Sequence, residues 1–353
     1  MQGVMNGCLA TNDATMRVAG LIIALLLTCR LTAQEQPFRV MFYNVENLFD
    51  CKHDSLKKDT EFLPDGVRAW HPGRLKTKLY QLSQVVTAVG GWEPPALVGL
   101  CEVENDSVMH QWVHYSPLRN CKYRYVMTHS PDERGIDVAL MWQRHRFRML
   151  QHRSVHIHFP DSSHRPTRDI LHVTGRVSSG DSLDVFVCHF PSRSGGQLVS
   201  EPARLYVASV LRQQTDSLMA VRQNPYILVM GDFNDYPTNA SLTRVLEATT
   251  PTGQVEAQKL YNLMADKGNE ELGTYSYRGE WGVLDQFLVS GSLLLPHKGL
   301  STSNESARIC NFPFLLKEDE KYKGMKPFRT YYGWKYEGGY SDHLPIVLDL
   351  FLP

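Results

Sequence analysis

The chain has no surplus of charge, no closely spaced cysteines, no repeat and no apolar run long enough to cross a membrane. With 37 basic and 37 acidic side chains, its formal net charge is zero. No global positive field therefore gathers a polyanion by counterion release, and any such binding must be local. No Cys-x-x-Cys pair occurs among the seven cysteines, which argues against a zinc knuckle. The longest apolar run, Val18 to Leu27, falls short of a bilayer span. Absence of internal repeats and low-complexity tracts leaves an ordinary globular chain. Its 353 residues, 42% of them hydrophobic, suffice for one large core.

The N-terminus reads as a targeting segment. Arg17 precedes the apolar run, and Leu31-Thr32-Ala33 places a small residue before Gln34. Residues 1–33 are thus expected to be an extension and signal peptide, and 34–353 the functional domain, exported to the periplasm or secreted. Starting at Met16 would set the basic residue directly before the run. Leu26-Leu27-Thr28-Cys29 has the outline of a lipid-attachment box, but Thr28 and Arg30 suit one poorly, so simple cleavage is the preferred reading. Five cysteines remain after cleavage, enough for two disulfides and a free thiol in an exported enzyme. Cys101 and Cys188, inside apolar strand patterns, read as buried free thiols.

Short segments rich in branched and aromatic residues predict strands at 40–45, 97–103, 123–128, 138–142, 170–177, 183–190, 226–230, 283–289 and 344–351. Leu75, Leu79, Leu82, Val85, Val86 and Val89 form a helical stripe, as do Tyr206, Val210 and Leu211. Pro202 suits a first helical turn, where its missing N–H costs nothing.

Polar groups cluster at the ends of these strands: Asn44 and Glu46, Glu102, His189, Gly231-Asp232-Phe233-Asn234, Asp285 and Ser341-Asp342-His343. Taken singly, most are ordinary: Asp and Asn favour turns, and a lone His is commonly structural. In this order, however, the six motifs resemble those of the endonuclease/exonuclease/phosphatase family. The resemblance spans residues 38–352 and implies a four-layer α/β sandwich, two packed sheets flanked by helices, with magnesium or manganese at the strand ends.

The chemistry agrees with the resemblance. Hydrolysis of a phosphate ester requires neutralised phosphoryl charge and an oriented water. Glu102 is the leading ligand for a hard cation, supported by Glu46 and Asp342, the last able to reach either the metal or the water. Asp232 orients or deprotonates the water, while Asn44 and Asn234 donate hydrogen bonds to phosphoryl oxygens. The resemblance implies that Asp285 is the partner fixing the tautomer of His343, and that His189 either protonates the leaving oxygen or binds a phosphoryl oxygen. Arg193, in the loop after His189, and Arg134 are candidates for substrate phosphate.

Between 297 and 340 a long segment interleaves aromatic residues with lysines, a composition suited to stacking bases beside phosphates. The expected function is an exported, metal-dependent phosphoester hydrolase, foremost a phosphodiesterase or endonuclease acting on nucleic acid as a monomer. The alternatives are an enzyme acting on a phospholipid or small phosphoester, and a binding protein that keeps the fold without the chemistry.

Overall fold

Alternation of side chains along the strands builds the layers of this protein. In the computed structural model, which describes residues 37–160, 164–296 and 298–353, Val185, Val187, Leu228, Met230, Phe287 and Val289 point into one core. Their neighbours Phe186, Cys188, Ile227, Val229 and Leu288 point into a second. A strand buried on both faces needs such continuous apolar sequence. Each fully buried Val, Leu or Phe contributes roughly 1.5–3 kcal/mol. The expected leader lies outside the described residues.

The chain runs β1 (Phe38–Leu48), α1 (Pro72–Gly90), β2 (Leu97–Val103), α2 (Asp106–Tyr115), β3 (Tyr123–Met127), β4 (Asp137–Gln143), β5 (Phe147–Val155), β6 (Ile170–Val177) and β7 (Ser182–His189). It continues through α3 (Gln197–Val221), β8 (Ile227–Asp232), β9 (Leu260–Asn262), β10 (Tyr275–Tyr277), β11 (Glu280–Gly282), β12 (Asp285–Ser290) and β13 (Ala307–Ile309). Last come β14 (Leu316–Glu318), β15 (Met325–Pro327), β16 (Tyr331–Tyr332), β17 (Lys335–Tyr336) and β18 (Ile346–Leu350).

Among the described residues, two six-stranded sheets form, ordered β13-β18-β1-β2-β4-β3 and β5-β6-β7-β8-β12-β9. They pack face to face. The stripe of α1 joins the core between and outside the first sheet, and Val207, Ala208 and Leu211 of α3 cover the outer face of the second. The expected four-layer sandwich is what forms.

Local signals account for the helix ends. Pro72 opens α1 after His71, whose ring accepts the Gly73 N–H, and Asn105 caps α2 by accepting from Val108 N–H at 3.0 Å. α3 begins at Gln197, a turn earlier than Pro202 suggests, so the proline lies inside the helix. It withholds the N–H that the Leu198 carbonyl would otherwise accept. All five cysteines in the described residues, Cys51, Cys101, Cys121, Cys188 and Cys310, are free thiols.

The segment after residue 297 is more ordered than its sequence suggests. β14 pairs with β15 and β16 with β17, both antiparallel. Phe312, Phe314, Phe328 and Tyr336 pack against the main core, whereas Tyr332 and Trp334 stay 48% and 66% exposed. Gly339 serves close packing: a Cβ there would lie 2.1 Å from the Phe328 carbonyl oxygen.

Gly231 has the same role inside the second sheet, where a Cβ would meet the Cys188 carbonyl oxygen at 2.4 Å. Glycine there admits the neighbouring strand. Gly231→Ala is accordingly expected to destabilise the fold by about 1–3 kcal/mol, the usual cost of overpacking. A urea unfolding curve checks this through its midpoint.

Candidate active site

Each sheet has one parallel pair at its centre, β1 with β2 and β7 with β8, flanked by antiparallel partners. Parallel strands end at a common edge, and an antiparallel neighbour starts there. Glu102 therefore lies at the end of β2, Asn44 in the last half of β1, and His343 at the same edge, just before β18. In the second sheet His189 and Asp232 are register partners at the ends of β7 and β8, and Asp285 opens β12 opposite Asp232. Six distant segments meet by topology alone.

The strand ends depart from regular pleating. Register slips between Asn44 and Leu48 and between Cys101 and Val103. Glu46, Asn47, Glu102 and Asn234 hold φ values of 49°, 52°, 64° and 48°. Side chains with positive φ are strained, and bulges re-aim them. Here they turn Glu102 toward the cleft and Asn234 into a hydrogen-bonded turn, a concentration of strain typical of functional sites.

One carboxylate organises the centre. Asp232 Oδ1 accepts the Asn234 N–H at 2.8 Å, and Oδ2 accepts from Asn44 Nδ2 at 3.1 Å. That same Oδ2 lies 3.7 Å from Nε2 of both His189 and His343. His343 Nδ1 meets Asp285 Oδ2 at 2.7 Å, and the Tyr275 ring lies 4.9 Å from the imidazole. Asn44 also reaches Glu102 Oε1 at 3.5 Å, and Glu102 Oε2 accepts the Asn47 N–H at 2.9 Å.

The two imidazoles have opposite character. Burial works against a charged His343, but Asp285 and Asp232 outweigh it and raise its pKa to about 10. His189 is pushed well below its ordinary value by burial and by Arg168, Arg134 and His343, so it is neutral. Burial raises Asp232 to about 7, against the pull of His343. These two shifts oppose each other on one shared contact. A cationic His343 is the firmer assignment, because two carboxylates face a single ring.

A cleft of about 600 Å³ contains eight of the eleven expected residues: Glu102, Arg134, His189, Arg193, Asp232, Asn234, Asp342 and His343. Asn44 and Asp285 lie behind it, each hydrogen-bonded to a lining residue. Glu46 is elsewhere. It is 6% exposed, and its oxygens accept the N–H groups of Thr330 at 2.6 Å and Tyr331 at 3.1 Å. It ties β1 to the aromatic segment, near the buried ammonium of Lys78, which donates to Thr330 Oγ1 at 2.5 Å.

Other expected roles shift in detail. Arg193 is pinned rather than free: Nε donates to the Asn234 carbonyl at 2.7 Å, and its guanidinium lies 4.2 Å above the Tyr236 ring. Asn234 Nδ2 donates to the Phe190 carbonyl at 3.1 Å. Arg134 donates to Asn47 Oδ1 and stands 3.9 Å from Glu102.

Sequence reasoning missed Arg168 and Tyr275, which line the same cleft. Arg168 donates to Phe190 O at 2.5 Å and to Asp132 Oδ2 at 3.3 Å. Tyr275 had a usable signal, since Thr274-Tyr275-Ser276-Tyr277-Arg278-Gly279 alternates and then turns. Arg168 had none beyond standing just before a strand.

The donor set fits a hard dication. Glu102 and Asp342 keep 14% and 25% of their side chains exposed, and Asp285 Oδ1 is buried without a hydrogen-bond partner among the described residues. Asp232, Asp285 and His343 hold ligand atoms within 4.8 Å of one another, as do Cys101, His189 and Asp232. A protonated imidazole is no ligand, however, so the first trio reads as an ion-paired cluster. Glu102, with Asp342 available, remains the residue exposed to an incoming cation.

The sequence matches the profile of the endonuclease/exonuclease/phosphatase family over residues 39–351. No curated protein matches it. Among solved structures, the human Nocturnin catalytic domain with bound sulfate is 17% identical, covering 90% of this chain and 95% of that one with a TM-score of 0.53. TDP2 from D. rerio complexed with a single-strand DNA product is 15% identical, with coverages of 90% and 100% and a TM-score of 0.55. A mannosyl-6-phosphatase of Bacteroides thetaiotaomicron is 14% identical, with coverages of 89% and 100% and a TM-score of 0.55. These likenesses concern the fold, whereas the profile covers nearly the whole described domain. The chain belongs to the endonuclease/exonuclease/phosphatase family, whose members hydrolyse phosphate esters.

Proposed function

We propose that this protein is an exported, divalent-metal-dependent phosphodiesterase that cuts nucleic acid by in-line attack of water. The observation that carries the reading is the meeting of Asp232, the His343–Asp285 pair and Glu102 at a single cleft. Tyr277, 57% exposed on its rim, offers a face on which a base can stack. The DNA complex of TDP2 is in keeping with this substrate class.

Glu102 and Asp342 are the residues that would hold magnesium or manganese. Such an ion, when bound, supplies Lewis-acid neutralisation of phosphoryl charge. Asp232 accepts the proton of the attacking water, and burial tunes it toward neutrality for that task. Cationic His343, held by Asp285, meets charge developing on the phosphoryl oxygens. Neutral His189 is a hydrogen-bond donor to a phosphoryl oxygen and a poor proton source near neutral pH.

A pH profile follows. Asp232 is active when ionised, so kcat/KM is expected to rise toward pH about 7, or lower beside a dication. His343 is active when protonated, so activity is expected to fall near pH about 10. A rate that falls between pH 6 and 8 would contradict these assignments.

The substrate is tested with a panel in magnesium: plasmid DNA, RNA, sphingomyelin, an inositol phosphate and chromogenic mono- and diesters. Cleavage of nucleic acid and diester is expected. Intact nucleic acid alongside consumption of a lipid or small monoester would overturn the substrate assignment.

A further inference from the structure

Phe328, Arg329 and Thr330, the three residues between β15 and β16, are pinned from two sides. The Phe328 and Arg329 carbonyls accept the N–H groups of Tyr340 at 2.6 Å and Gly339 at 3.1 Å, which ties them to the stretch leading into Asp342 and His343. Thr330 donates its N–H to Glu46 at 2.6 Å, and its hydroxyl accepts from Lys78 at 2.5 Å. Glu46 and Lys78 are themselves buried. Ionisable groups are costly to bury, so two of them committed to one short segment mark a position that the fold holds in place.

That anchoring presents the Arg329 side chain to Asp342. Nη2 of Arg329 lies 3.9 Å from Asp342 Oδ2, beyond hydrogen-bond length, and the two side chains are 19% and 25% exposed. Burial works against the guanidinium's charge, but Asp342, Glu46 and Tyr275 outweigh it. Asp342 and Tyr275 line the candidate active site, so the cation stands directly behind that wall. Glu102 faces a guanidinium at the same 3.9 Å, that of Arg134, but Arg134 is 46% exposed. Arg329 is the enclosed member of the two.

We propose that Arg329 is a resident counter-ion for Asp342: it keeps this carboxylate ionised and aimed at the cleft, and it competes with an incoming dication for it. The inference rests on the assignment of Asp342 to the metal and adds a positioning residue to it. A pair at this distance attracts without being locked, so Asp342 can turn to a metal ion when one arrives. The fixed positive charge then weakens the hold on that ion and keeps it exchangeable. Even at the dielectric constant of water, a unit charge about 4 Å away changes an affinity roughly fivefold, and a partly buried pair is screened less.

The test uses the full chain stripped of metal and titrated with manganese, free ion being read by electron paramagnetic resonance and binding heat by calorimetry. Arg329→Gln is expected to bind manganese about tenfold more tightly than wild type. Arg329→Lys keeps the charge and should stay within a few-fold of wild type. Arg329→Met is a second neutral variant that retains the apolar stem near the Tyr332 ring, 5.9 Å from the guanidinium carbon, and it should tighten binding as the glutamine does. In an Asp342→Asn background, Arg329→Gln should no longer tighten binding, because the group competed for is gone. A purely structural role predicts the opposite sign, a looser segment and weaker binding. Unchanged or weaker manganese affinity in folded Arg329→Gln and Arg329→Met would overturn the counter-ion while the metal reading stands. No manganese uptake by the wild-type protein would instead remove the reading beneath it.

Discussion

His343→Ala is expected to lower kcat/KM on a phosphodiester by about a hundred- to ten-thousandfold, the range typical of a positioned acid–base or electrostatic group. The imidazolium lies between Asp285, at 2.7 Å, and Asp232, at 3.7 Å. Its removal leaves two buried carboxylates confronting each other, so the fold also suffers. Breaking a buried ion pair from one side costs about 3–5 kcal/mol. His343→Gln separates the effects, because the amide can still donate to Asp285 but carries no charge. Its activity is expected to fall nearly as far as that of the alanine variant while its unfolding midpoint recovers. Asp232→Asn should match His343→Ala in lost activity, and the double variant should lose little more than either alone, as residues acting together do. Near-wild-type turnover by His343→Gln, with folding intact, would show that the charge plays no part.

The layers were legible because period-two apolar runs and a three-to-four-residue stripe are direct consequences of strand and helix geometry. Six strand-end motifs then located the site, since topology delivers those ends to one edge. α2 escaped notice although Asn105 caps it and Val108, Met109, Trp112 and Val113 give it a buried face, because ten residues hold barely two such repeats. β5 was hidden by composition: it is an edge strand on which Arg148, Gln151, His152 and Arg153 are all exposed, so no period-two apolar pattern marks it. What sequence could not supply was the partner of each polar group. Glu46 and Asn44 stand two apart, and on a regular strand would share a face. The positive φ of Glu46 turns its carboxylate instead toward backbone 284 residues away. Nor does the sequence show that Gly231 is required by the neighbouring strand, whose Cys188 carbonyl a Cβ would meet.

Chelation is expected to have the largest effect of all. EDTA should abolish turnover, and excess magnesium or manganese should restore it. Glu102→Gln is expected to raise the metal concentration for half-maximal activity by more than about a hundredfold. Outer-shell partners alone typically contribute ten- to a hundredfold, and Glu102 is assigned direct contact. Glu46→Gln provides the contrast. Its oxygens are engaged by Thr330 and Tyr331, so it should lower stability while leaving the metal requirement within a few-fold of wild type. An equal loss of metal affinity in both variants would place Glu46 beside the ion after all.

The most direct measurement is the anomalous difference map of a crystal soaked in manganese. The account predicts a peak in the cleft between Glu102 and Asp342, within about 2.0–2.3 Å of a Glu102 carboxylate oxygen, as for a hard dication on an oxygen ligand. A fully active enzyme whose crystals show no peak there, or a peak only at a distant surface, would contradict it.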